Sequence, residues 1–255
     1  DCNFDKQNIE VIIVDQNQND ALVGIIKPFE SVLSISHNRV NFVGLSKAKN
    51  YGISLAKNDL VWCLDDDLRL YDNSLESAIR FFENMPETDI VVGRVYDREN
   101  ETNVMRRWKN GTFRLKKSNY LLNSNAVCII TKNKKIRYDE EFGVGGAYGN
   151  HEDSDYFYRA LDQQLVVYYT DQVDVYHGPL NTDVMTPDKA WKYGFGFGAF
   201  IRKSLHFYTI LHFFKSLSYH VSLMVVYIMT LRFNLAKLRI IAITSRIVGF
   251  ARYKY

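Results

Sequence analysis

The sequence predicts an α/β fold, a mostly parallel sheet of Rossmann type with flanking helices, followed by a helical C-terminal region of different character. Three observations carry this. Residues 59–64 form a short apolar run that stops abruptly at Asp65, Asp66 and Asp67. Apolar runs at 9–14 and 90–95 have similar length, and helical patterns at 45–56 and 73–82 lie between the three, the alternation of a βαβ sheet. Beyond Asp188 the chain has no acidic residue, while eleven lysines and arginines follow among apolar side chains.

In chain order, the first strand, 9–14, ends at Asp15 and runs into a polar turn, so a carboxylate again sits at a strand's carboxyl end. A short helical piece around 21–26 is broken at Pro28, and 32–35 alternates like an edge strand. Within 44–56, apolar or small residues at 45, 48, 52, 55 and 56 share one face of a helix that would deliver the chain to the acidic strand. After the acidic triplet, Asn73 with Glu76 three residues later marks a helix start, with Leu75, Ala78, Ile79 and Phe82 facing inward.

From Tyr96 to Asn125 the periodicity fails. Arginines and lysines alternate there with Trp108, Phe113 and Tyr120, a composition that suits either a sugar or phosphate acceptor or a solvated insert. Residues 126–131 return to strand character. A glycine-rich stretch, 142–149, then runs into a helix for which Asn150 is the expected cap, placing Glu152 and Asp153 in the first turn, where the helix dipole favours a carboxylate. Two short strands are expected at 166–169 and 173–176, the second ending in His177, Gly178 and Pro179.

In open α/β sheets, ligands gather beyond the carboxyl ends of the strands. Three adjacent carboxylates there repel one another unless a cation compensates, and a hard divalent ion, Mg2+ or Mn2+, is the natural partner for carboxylate oxygens. A histidine at a strand terminus, such as His177, can complete an oxygen-rich site of this kind. The net charge of +3 argues against a dedicated nucleic-acid binder. Cys63 and Cys128 lie in strand-like runs and Cys2 stands apart, without metal-ligand spacing, which suits a reducing compartment. No secretory leader is expected from the first residues. The longest charge-free run, 216–231, is shorter than a spanning helix wants, so the tail is expected to lie in a membrane interface, with a marginal span or a packed helical bundle as alternatives.

Together, the strand ending in Asp15, the helix carrying Ala48, Lys49 and Asn50, the strand ending in Asp65, Asp66 and Asp67, the Glu152–Asp153 helix and His177 resemble family 2 glycosyltransferases of the GT-A fold, over about residues 9–179. That resemblance implies a GT-A-like catalytic domain over 1–185, N-terminally incomplete, and the change in composition sets off a basic apolar tail over 186–255. The resemblance implies an inverting, metal-dependent hexosyl transfer from a nucleoside-diphosphate sugar to an acceptor hydroxyl; the charge and apolarity of the tail in turn suit a membrane-bound acceptor, a glycan or lipid-linked one, in polysaccharide assembly at the cytoplasmic face of a membrane. By its pattern Asp15 would recognise the nucleotide base, with Lys49, Asn50, Asp65 and Asp66 on the donor side. Asp67, with Asp65 and His177, would hold the metal, and Asp153 would be the catalytic base, beside Glu152. Apart from the resemblance, the flexibility expected of the glycine-rich stretch from Gly143 to Gly149 suits a loop that closes over the donor and excludes water. Two departures are visible. The family's first strand and helix have no counterpart before residue 9, which leaves an inactive GT-A-like binding module or a fragment as the alternative. Lys49 also stands where the family pattern has arginine, keeping charge but losing the bidentate fork. A metal-dependent phosphoryl transferase would want the same carboxylates, but no phosphate-cradling lysine loop accompanies them.

Overall fold

The computed structural model describes residues 4–132, 136–178 and 185–254; Cys2 and Pro179 lie outside them. The first strand, β1 (Glu10–Asp15), leads through α1 (Ala21–Ile26) to β2 (Ser34–Arg39), and the two strands pair in parallel from Glu10↔Ser34 to Asp15↔Arg39. The edge strand expected at 32–35 therefore starts two residues later and runs on to Arg39. Helix α2 (Leu45–Leu55) packs on β1, with Gly52 close enough that a Cβ would touch Val14 at 3.4 Å.

The acidic segment lies between β3 (Val61–Cys63) and β4 (Leu68–Leu70). Next come α3 (Ser74–Asn84) and β5 (Ile90–Asp97), followed by short pieces β6 (Thr102–Asn103), β7 (Phe113–Arg114) and α4 (Tyr120–Asn123), then β8 (Ile129–Thr131), α5 (Glu152–Asp162) and β9 (Val167–His177). The main sheet has the order β3-β8-β5-β9-β4, with β6 added to β5 and β7 to β9.

That sheet is mixed, which corrects the expectation of a mostly parallel one. Within it only β5 and β9 pair in parallel; β3–β8, β5–β8, β4–β9, β5–β6 and β7–β9 are all antiparallel. A parallel return needs a crossover element, and α5 supplies one before β9. Between β5 and β8 the chain makes the irregular excursion flagged in the sequence, so β8 comes back antiparallel. The strands expected at 166–169 and 173–176 are one strand, β9. Its polar middle misled the periodicity: buried Thr170 bonds to Thr112 at 2.7 Å, and Asp171 accepts the Gly111 N–H at 2.8 Å.

The β5–β9 register shifts between Val92 and Arg94. Gly93 sits at this irregularity because a Cβ would lie 2.4 Å from both Cys128 Sγ and the Val173 carbonyl. Around it Ile90, Val91, Val92, Val95, Val167, Tyr169, Val173 and Val175 are fully buried. Asn73 occupies the N-cap of α3 as expected but makes no capping bond; Ser74 Oγ instead accepts the Tyr71 N–H and donates to the Asp174 carbonyl.

The C-terminal region forms α6 (Pro187–Lys203), α7 (Phe207–Met229) and α8 (Phe233–Arg252). Glycines allow close contact here: a Cβ at Gly198 would lie 2.0 Å from the Arg246 carbonyl, and one at Gly249 would lie 2.0 Å from the Phe195 carbonyl. Gly196 faces the other way, against Asn150 Oδ1 and the Tyr148 carbonyl. The aromatic and glycine-rich run 191–198 is thus a helix clasped between α8 and the loop that precedes α5. Phe197, Phe200, Ile201 and Phe213 join the same buried apolar cluster as Phe157 and Phe142. Among the described residues no helix is long and apolar enough to cross a membrane, so the marginal span considered for 216–231 is not met.

Candidate active site

Because β3 and β4 stand at opposite ends of the hydrogen-bonded strand path, residues 64–67 carry the chain across the strand ends. Antiparallel pairing of β4 with β9 sets Leu68 opposite His177, which brings Asp67 beside the imidazole. His177 Nε2 lies 3.3 Å from Asp67 Oδ2. The other ring nitrogen, Nδ1, lies 2.7 Å from the Gly178 carbonyl, which can only accept, so Nδ1 carries a proton. Nδ1 is thus tied to a carbonyl while Nε2 faces the Asp67 carboxylate, one imidazole nitrogen and one carboxylate oxygen of the kind a divalent cation takes as ligands.

Asp65 points elsewhere. Its Oδ1 lies 3.4 Å from Lys49 Nζ, which also reaches the Ala126 carbonyl at 3.4 Å and lies over the Tyr138 ring. Asp66 is exposed, as is Asp67. The structure thus brings together two of the three expected metal ligands and gives the third an ammonium partner; among the described residues no group of three histidine, cysteine or acidic side chains converges on one point. One carboxylate and one imidazole suit a hard divalent ion whose other ligands come from a diphosphate and water.

Helix α5 begins at His151, which adopts a left-handed conformation (φ 65°) and occupies the N-cap expected for Asn150. Left-handed φ is uncommon outside glycine, although asparagine, aspartate and histidine adopt it more readily than other residues. His151 is held there between the rings of Phe197 and Phe200, with centroids 5.3 and 5.8 Å away, and its Nδ1 lies 3.3 Å from Ser154 Oγ. Burial pulls the His151 pKa down to about 4, so the ring is neutral. Glu152 is buried in the first turn; that burial and the adjacent Asp153 push its carboxyl up to about 7, opposed by Lys49. Asp65 also acts on Glu152, so the acidic turn, Lys49 and the start of α5 share one neighbourhood. Asp153 Oδ1 accepts the Ser154 N–H at 2.7 Å.

Asp15 is buried and its two oxygens are engaged: Oδ1 accepts Asn17 N–H and Nδ2–H at 2.8 Å, and Oδ2 faces His37 Nε2 at 2.9 Å. The Asn17 backbone bond and His37 hold its pKa below the usual carboxylate range. Asn50 bonds both ways with the Tyr138 backbone, Nδ2 to the carbonyl at 2.9 Å and Oδ1 from the N–H at 2.7 Å, and so fixes the chain entering the glycine-rich stretch. That stretch is tied to the start of α2 rather than standing free. Leu45 N–H donates to the Val144 carbonyl, Ser46 Oγ to that of Phe142, and a Cβ at Gly145 (φ 87°) would lie 2.9 Å from Gly44 Cα.

Three side chains emerge that the sequence did not single out. Arg106, from the irregular basic and aromatic segment, is exposed as a whole but rests its guanidinium over the Trp108 ring and donates to the Leu121 carbonyl at 3.3 Å; partial desolvation there lowers its pKa, and the charge of Asp153 opposes that. His37 holds Asp15. Lys203, at the end of α6, bridges Asp139 and the fully buried Asp155 at 2.5 Å each. The run of basic residues around Trp108 was the visible signal for Arg106; nothing local marks His37 or Lys203, whose partners are 22 and 48 or more residues away.

The chain is similar to known proteins in the same sense. It is 31% identical over 94 residues to "Glycosyltransferase GlyG" of Streptococcus pneumoniae serotype 4 (strain ATCC BAA-334 / TIGR4), covering 36% of this chain and 31% of that protein. Its fold is similar to that of S. aureus TarS (TM-score 0.60, 14% identity, 99% of this chain and 51% of that one). It is also similar to the mannosyltransferase PcManGT from Pyrobaculum calidifontis in complex with GDP-Man and Mn2+ (TM-score 0.59, 13% identity, 98% and 67%). The chain thus spans under a third of the curated relative and about half of TarS. The model of the family described as "Glycosyl transferase family 2" matches residues 2–141, over half of the sequence, and the chain belongs to that family.

Proposed function

We propose that this chain transfers a sugar from a nucleoside-diphosphate donor to a hydroxyl of a glycan or lipid-linked acceptor, with inversion at the anomeric carbon. The observation that supports it best is the shared neighbourhood of Asp65, Lys49, Glu152 and Asp153 beside the Asp67–His177 pair. Asp153 is the base that takes the acceptor's proton as the hydroxyl attacks. Glu152, held partly protonated at neutral pH, limits the negative charge beside it. Asp67 and His177 would hold a divalent ion, Mn2+ or Mg2+, whose chemistry is to neutralise charge on the departing diphosphate. Lys49 fixes Asp65, and Asn50 and Asp15 hold the loops on the donor side, with Asp66 exposed at the rim. PcManGT in complex with GDP-Man and Mn2+ supports a donor of this class.

Nucleoside diphosphate release from a panel of sugar nucleotides, with Mn2+, tests the reading. Asp153→Asn should lower turnover about 10²–10⁴-fold with little change in donor affinity; equal turnover in both proteins would remove the base.

The tail belongs to the same proposal as a membrane-facing surface for polysaccharide assembly at the cytoplasmic face. Helix α7 exposes Phe207, Phe214, Tyr219, Val225 and Met229, and every charged residue after Asp188 is basic. Apolar exposure with basic flanks suits an anionic lipid interface. Flotation of the whole chain with anionic but not neutral vesicles, weakened by salt, is expected; Phe214→Asp should reduce it, and unchanged flotation of that variant would argue against this face.

A further inference from the structure

The basic and aromatic segment between β5 and β8 has no task in the transfer reaction as described so far, yet it is firmly anchored. Trp108 is buried, its Nε1 donating to the Val104 carbonyl at 3.0 Å and its backbone N–H to Asn103 Oδ1 at 3.2 Å. Met105 takes a left-handed backbone (φ 68°), and the Arg106 N–H donates back to the Val104 carbonyl at 2.8 Å. Positive φ is costly for a methionine, and such strain gathers where a side chain has to be aimed.

The side chain aimed here is Arg106. One face of its guanidinium rests on the Trp108 ring, 5.1 Å from the centroid, and Nη1 makes a long bond to the Leu121 carbonyl. A guanidinium carries five N–H donors, so most of this fork stays open to solvent, where Arg107 and Lys109 are exposed as well. The chain that holds Arg106 runs beside α5. Lys117 Nζ lies 2.5 Å from Asp162 Oδ1 and over the Tyr158 ring, toward the C-terminal end of that helix. Tyr120, further along, is fully buried within the field of Asp153 and Asp155. Leu121 therefore sets Arg106 at the level of the first turn of α5, where the charge of Asp153 reaches the guanidinium. Among the described residues the two form no ion pair, so Arg106 stands near the base without neutralising it.

We propose that Arg106 determines acceptor specificity, receiving a phosphate ester that the acceptor carries close to the hydroxyl deprotonated by Asp153. This rests on the transfer reaction proposed above and narrows its acceptor to a phosphorylated sugar. Planar forks bind phosphate oxygens pairwise, and three exposed cations within one short segment suit a multiply charged group better than a single carboxylate.

The test uses the whole chain with Mn2+ and the sugar nucleotides that it turns over, comparing methyl hexoside 6-phosphates with their unphosphorylated parents as acceptors. For nucleoside diphosphate release, kcat/KM should be about tenfold higher with the phosphorylated member of a pair, the difference lying in KM. Arg106→Gln should bring the pair level by raising KM for the phosphorylated acceptor, and Arg106→Lys, which keeps the charge and loses the fork, should retain part of the preference. Four results would overturn the proposal: no preference in the wild type, full preference in Arg106→Gln, equal loss on both acceptors in that variant, as a structural role would give, or a raised KM for the sugar nucleotide instead. Binding is also read without turnover from the emission of Trp108, with Trp108→Phe identifying the signal. Half-saturation should come at an about tenfold lower concentration of the phosphorylated hexoside. Should no sugar nucleotide be turned over, the transfer reaction fails while this titration still decides Arg106, and equal half-saturation by the two hexosides counts against it.

Discussion

At the scale of single residues, Glu152 makes the clearest prediction. Its folded pKa of about 7 lies above the ordinary value of 4.5, so between these pH values the folded chain binds more protons than the unfolded one. Its neutral form therefore supports the fold at acid pH, and that support is lost as pH rises through 7. Glu152→Gln should match the wild type near pH 4.5 and exceed it by up to about 3 kcal/mol at pH 8 in urea unfolding; a pH-independent difference would place Glu152 in a more polar setting. The carboxylates themselves were legible in the sequence, because strand ends and a helix start are marked by local pattern. Their partners were not. Asp65 reads as a metal ligand until Lys49, sixteen residues away, is seen beside it, and Asp15 reads as a free ligand until His37 and Asn17 occupy its oxygens. Such pairings depend on register and loop path, which local composition does not encode.

Among the elements, α6 does more than begin a tail. Lys203 joins Asp139 to Asp155, and Asp155 is completely buried with Arg159 as its other cation. Removing one member of such a network leaves a charge without full compensation, so Lys203→Met should cost about 3–5 kcal/mol in urea unfolding. A loss below about 1 kcal/mol would show that Arg159 suffices. Gly196 tests the other face of the same helix. Its alanine variant would press on Asn150 Oδ1 and the Tyr148 carbonyl; a cost of about 1–3 kcal/mol is expected, with reduced turnover because the start of α5 must shift. Wild-type stability and turnover in Gly196→Ala would show that the clasp is slack. The longer helices and the strands at 9–14, 59–64 and 90–95 followed from periodicity, whereas β4, β6, β7, α4 and the unbroken span of β9 did not. Strand direction did not follow either: alternation suggested parallel crossovers, and only the helix before β9 makes one within the main sheet.

For the whole molecule, the sheet, the loop platform and the tail converge on α5. The sheet brings Asp67 to His177 through β4–β9 pairing, Asn50 and Ser46 hold the platform ahead of α5, and α6 grips the turn from behind. The tail's composition was readable as apolar and basic, but its packing into the apolar core was not, because helix contact through glycines leaves no hydrophobic signature. The central claim is that the acidic turn and α5 serve one donor site that takes a nucleoside diphosphate with a divalent ion. The most direct measurement is thermal melting against a panel of nucleoside diphosphates with and without Mn2+, for the wild type and for His177→Gln. At a hundredfold excess over its dissociation constant, one nucleotide should raise the wild-type melting temperature by about 5–10 °C only when Mn2+ is present. The shift should be smaller in His177→Gln. No shift with any nucleotide, or the same shift in wild type and variant, would contradict the account.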